Sequence, residues 1–123
     1  MKKLFVSVPM KGRTREEIDQ SILVLKQIAE IYEGEPLMLI NSFVTNTPPE
    51  DTHQAVWYLG QSIMKLSEAD VFIGIEESYD WSGCHIELEV ACKYGIKVYR
   101  VPARYVIPHY DEIVTSVNIK TYN

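Results

Sequence analysis

Asp70-Val-Phe-Ile-Gly-Ile-Glu-Glu-Ser-Tyr-Asp-Trp-Ser-Gly-Cys-His-Ile-Glu87-Leu-Glu-Val-Ala91 is the stretch that decides the fold. An apolar run passes into a polar loop, the loop ends in Ser82-Gly83, and a helical pattern with an early carboxylate follows at once. In an open α/β protein such a unit puts an acid at the carboxyl edge of a buried parallel strand, where ligands bind. Glu87 is therefore the leading candidate for a catalytic residue. The dipole at a helix N-terminus favours an ionised carboxylate, the form a nucleophile needs. The plainer account is an acid that only satisfies that dipole. Glu89, two residues on, faces roughly the other way and is expected in solvent.

Outward from this unit the same alternation of strand and helix repeats. Residues 3–8 read as a buried strand stopped by Pro9. Thr14-Arg-Glu-Glu17 is a capping box, and the helix it opens carries Ile18, Ile22, Leu25, Ile28 (with Ala29) and Tyr32 on one stripe. Gly34 ends it. A second strand is expected at 36–40, followed by polar Asn41-Ser42 and a Pro-containing loop at 45–52. A second helix at 53–67 should turn Val56, Leu59, Ile63 and Leu66 inward. The third strand is placed at 69–75, the third helix at 83–94 with Gly95 as its stop, and the fourth strand at 96–101. A short helix at 110–116 and a tail at 118–122 complete the pattern. Continuous apolar strands alternating with helices imply a parallel sheet covered on both faces. The expected architecture is a three-layer, flavodoxin-like or Rossmann-like α/β domain of sheet order 2-1-3-4-5, with no internal repeat or linker.

The 123 residues suffice for one domain. A net charge of −5 offers no global attraction to a nucleic acid polymer or an anionic membrane, so neither is expected as a partner. No apolar run is long enough to span a bilayer. The opening MKKLFVSVPM is basic then apolar, but Pro9 breaks it early and no small-residue cleavage site follows. It is expected to be a strand rather than a secretion signal. Cys84 and Cys92 lie eight residues apart on one expected helix, roughly 12 Å along its axis and too far for a disulfide. Reduced thiols and a cytoplasmic location are the expectation.

Neither the P-loop nor the G-x-G-x-x-G fingerprint is present. Ser7-Val-Pro9-Met10-Lys-Gly12-Arg13 takes the place after strand one instead. A turn leading into a helix N-terminus presents backbone N–H groups to an anion, with charge added by Lys11, Arg13 and Arg15. A tight turn with a solvated basic edge is the alternative. Asp80, Glu76 and Glu77 crowd the loop before the third helix, where one could hold a substrate hydroxyl or all could be solvated. His53, His85 and His109 are too scattered for a metal site, and no metal or cofactor is expected. Trp57, Tyr58, Tyr79 and Trp81 could sandwich a base or pack a subunit interface or core.

Strand one with Pro9-Met-x-Gly12-Arg13, then Ser67-Glu-Ala-Asp70-Val, then Ser82-Gly83-Cys84-x-x-Glu87-x-x-x-Ala91-x-x-Tyr94-Gly95-Ile96, resembles the nucleoside 2-deoxyribosyltransferase superfamily, most of all its small bacterial and phage members. The resemblance covers about residues 3–101. It implies a flavodoxin-like sheet, homo-oligomers that complete each other's pockets, and chemistry at an N-glycosidic bond. A carboxylate attacks the anomeric carbon, the base leaves, and another base or water takes the sugar. By position Glu87 matches the nucleophile; Ser7, Pro9, Met10, Gly12, Arg13, Asp80, Ser82 and Gly83 match the substrate-binding segments. An adjacent carboxylate suits an oxocarbenium-like transition state. Three positions depart from the pattern: Ser62 and Trp81 stand where the family usually has Asp, and Glu89 where it has Gly. The departures leave open a different base, a nucleotide substrate, a hydrolase, or a pocket that binds without turnover.

The expected function is N-glycosidic cleavage or transfer on a (deoxy)nucleoside or its monophosphate. The alternative is a non-enzymatic, sequestering nucleotide-binding protein with the same pocket. An NAD-cleaving domain of the Toll/interleukin-receptor type shares the fold order and a catalytic Glu but matches the local motifs less well.

Overall fold

The computed structural model describes residues 1–110. Apart from Tyr110, the helix expected at 110–116, the tail at 118–122 and any fifth strand beyond the fourth lie outside the described residues. The chain runs β1 (Lys3–Val6), α1 (Arg15–Glu33), β2 (Met38–Leu39), α2 (Gln54–Leu66), β3 (Val71–Ile75), α3 (Ser82–Lys93) and β4 (Lys97–Val101), with 3₁₀ turns at Ser78–Asp80 and Ala103–Tyr105. The four strands form one parallel sheet in the order β2-β1-β3-β4.

The centre of the sheet is β1 beside β3, in register Leu4↔Val71, Phe5↔Phe72 and Val6↔Ile73. Every residue of β3 is buried, as a central strand of a covered sheet requires. Successive side chains point to opposite faces, so the two strands feed two cores. Leu4, Val6, Val71, Ile73 and Ile75 pack with Ile18, Ile22, Leu25 and Ala29 of α1. Phe5 and Phe72, stacked at 5.9 Å between ring centroids, pack with Leu66 of α2 and with Leu88 and Ala91 of α3.

Local chemistry sets the limits of α1. Thr14 Oγ accepts from the Glu17 backbone N–H, and the Glu17 carboxylate accepts from the Thr14 N–H, each at 3.1 Å. Gly34 closes the helix at φ 71°, a left-handed conformation that glycine adopts without strain. Tyr32, expected on the inward stripe, instead lies past the core, exposed and stacked on Tyr99.

Three expectations need correction. The second strand pairs at Met38 and Leu39 alone, both exposed, because it is the sheet edge and is covered by little. The fourth strand is not a continuous buried run: Lys97 and Arg100 are exposed and only Val101 is buried, since it is the outermost strand of the described sheet. On α2, Leu66 is buried and Leu59 and Ile63 half-buried, but Val56 is 62% exposed. The two-residue edge strand offers little surface beneath the start of that helix. Among the described residues no helix is long and apolar enough to cross a membrane.

Candidate functional site

Ser7 follows β1 directly, and its backbone N–H donates to Ile73 O at 2.9 Å, so the strand alternation continues through it. It therefore shares a face with Phe5, toward α2 and α3. Glu87 lies in the second turn of α3 and is buried. The Ser7 hydroxyl donates to Glu87 Oε1 at 2.7 Å. The Ser62 hydroxyl, from the middle of α2, donates to Oε2. One carboxylate thus joins the end of β1, α2 and α3. Among the described residues no Lys, Arg or His forms an ion pair with it.

Burial dominates the electrostatics of this group. It pushes the Glu87 carboxyl above its ordinary range, and the hydrogen bonds from Ser62 and Ser7 pull it back in part. Cys84, one turn earlier, is also buried; burial pushes its thiol up to about 12, with the nearby Ser7 hydroxyl opposing in part. It is a neutral thiol at physiological pH.

Ser7, Phe72, Gly74, Ser78, Cys84 and Leu88 line a gap that has no room for a water molecule. The Ser78 hydroxyl is buried there without a hydrogen-bond partner among the described residues. A Cβ on Gly74 would stand 2.9 Å from the Phe72 ring, so β3 needs glycine at this point.

The remaining candidates lie around this centre. Pro9 is buried, Met10 and Gly12 are exposed, and Gly12 takes φ 76° in the turn after β1. The Arg13 guanidinium faces inward to its own loop. It donates to Pro9 O at 2.9 Å, to Glu17 O at 3.2 Å and to Ser21 Oγ at 2.6 Å. Arg15 pairs with Asp19 and lies over the Phe43 ring. The turn is therefore clamped rather than open: its arginines are engaged and the start of α1 is capped by Thr14. Asp80, Ser82 and Gly83 are exposed at the entrance to α3, whose N-cap residue, Trp81, makes no side-chain capping bond. Trp81 instead packs against the α1-side core, with Tyr110 at 6.3 Å. Glu89 is exposed, near His85 and Lys93 on its own helix. Glu77 accepts from the Ala103 backbone N–H at 3.0 Å and so fastens the end of β3 to the turn after β4.

Ser62 is the contact that sequence reasoning missed. It registered only as a position lacking an acid. The signal was available: Ser62 lies three residues after Leu59 and four before Leu66, on the inward side of α2, where a hydroxyl needs a partner. Among the described residues no group of three or more His, Cys, Asp or Glu could hold a metal ion. No protein-family model, curated protein or solved structure matches the chain.

Proposed function

We propose that this chain acts on the N-glycosidic bond of a (deoxy)nucleoside or its monophosphate, with Glu87 as nucleophile, as its resemblance to the nucleoside 2-deoxyribosyltransferases implies. The observation that carries the reading is a buried carboxylate with no cation paired to it among the described residues, at the carboxyl edge of a parallel sheet. Burying a charge without an ion pair is unfavourable, so such a group is a strong candidate for chemistry. In the proposed reaction a Glu87 oxygen bonds to the anomeric carbon as the C–N bond breaks, and the electron pair leaves with the base, which takes a proton from solvent water. Water or a second base then attacks the same carbon, gives up a proton to solvent, and releases Glu87 as carboxylate. An ionised group beside the ring stabilises the positive charge that builds up there.

The same reading includes the finer architecture: a three-layer, flavodoxin-like domain with a fifth strand completing the order 2-1-3-4-5. It also includes a cytoplasmic location and a homo-oligomer whose subunits complete one another's pockets. Tyr58, 42% exposed beside the half-buried Trp57, lies on the exposed start of α2 and suits such an interface. Incubation with a panel of deoxynucleosides and their 5′-monophosphates, followed by chromatography for free base, tests the activity. Release of base supports it. A rise in melting temperature with a nucleotide and no release from any substrate would favour the sequestering protein instead.

A further inference from the structure

We infer that Ser62 is a positioning residue for Glu87: its hydroxyl holds Oε2 from α2 while Ser7 holds Oε1 from the end of β1, so two neutral donors fix the carboxylate's orientation. The inference rests on the nucleophilic role proposed for Glu87. A glutamate has three side-chain torsions, and an attacking oxygen must be held close to its in-line position to be effective. Donors from two separate elements, 80 and 25 residues away in sequence, over-determine that position.

The surroundings make the hydroxyls decisive. The titratable group facing Glu87 from its own helix is the neutral Cys84 thiol. The end of β1 presents Ser7 and α2 presents Ser62, neither charged. Arg13 acts on Cys84, and among the described residues no charge is among the influences on Glu87 itself. With burial favouring the neutral acid, the hydroxyl donors are what stabilises the carboxylate. An acid at position 62 would do the reverse, placing a second negative charge against Oε2. The departure from the resembled pattern at Ser62 is therefore a change in how the nucleophile is held.

The test is a carboxyl ¹³C NMR titration of Glu87 in the whole protein, wild type against Ser62→Ala and Ser62→Thr. Loss of one hydrogen bond to a buried carboxylate should raise its pKa by about one unit in Ser62→Ala, and threonine should restore it. The acid limb of the pH–rate profile for base release should move by the same amount. If alanine does not fold, Ser62→Cys, close in size and a weaker donor, must raise the pKa in the same direction. A folded Ser62→Ala or Ser62→Cys protein whose Glu87 titrates as in wild type overturns the inference. The titration needs no turnover: a shifted pKa in a protein that releases no base would uphold Ser62 and remove the glycosidic reading.

Discussion

The Ser7 hydroxyl, at the end of the first strand, donates to Glu87 Oε1 at 2.7 Å across 80 residues of sequence. This bond ties the carboxyl end of β1 to the second turn of α3, so the carboxylate is fixed to the sheet edge itself. What the fold supplies to the site is a rigid frame for one acid.

Glu87→Gln should make the protein more stable at neutral pH. A carboxyl whose folded pKa is raised contributes stability below its ordinary value, and that contribution is lost as pH rises through the folded pKa. At neutral pH the ionised side chain therefore opposes folding. Glutamine keeps the volume, and the Ser7 and Ser62 hydroxyls can rotate to donate or accept. Thermal melts should show the variant above wild type at pH 7, with the gap closing as pH falls through the raised folded pKa toward 4.5. A variant that melts lower than wild type at pH 7 contradicts this.

Glu33 should show the opposite slope. At the amino end of the sheet its carboxylate takes Lys97 Nζ at 2.6 Å, the Tyr99 hydroxyl and Lys2 Nζ at 3.1 Å. Hydrogen bonds from these partners, Lys97 foremost, hold its pKa down to about 2. The stability it confers is present above pH 4.5 and is lost as pH falls through about 2. Glu33→Gln should lower the melting temperature at pH 7 and leave it little changed near pH 2. Equal loss at both values would assign the effect to packing instead.

Arg13→Ala should destabilise the turn after β1 by about 1–3 kcal/mol in urea unfolding, because three hydrogen bonds to Pro9, Glu17 and Ser21 disappear together. Nucleosides and their monophosphates should be weakened alike. Unchanged stability with selective loss of the monophosphate would return Arg13 to an anion-binding role.

What the sequence made legible is local or strongly periodic. The Thr14 capping box, the Gly34 stop and the uniformly apolar β3 each depend on neighbours in the chain. The position of Glu87 followed from the strand–loop–helix unit around it. Edge status was not legible, because the exposure of Met38, Leu39, Lys97 and Arg100 depends on what lies beside the strand in space. The exposure of Val56 follows from the same shortage of sheet beneath α2. The contacts of Arg13 were not legible, because a run of basic residues does not reveal which carbonyls the loop will turn toward it. The inward place of Ser62 on α2 was legible from its spacing to Leu59 and Leu66, but its partner was not, because Glu87 sits on another helix 25 residues away.

The central claim is that Glu87 forms a bond to the sugar, and intact-protein and peptide mass spectrometry after brief mixing with a reactive deoxynucleoside or its monophosphate tests it most directly. The account predicts one added sugar (or sugar phosphate) on the peptide containing Glu87, free base in solution, and neither product with Glu87→Gln. Base released at an undiminished rate by a folded Glu87→Gln protein, with no adduct in either form, would contradict it.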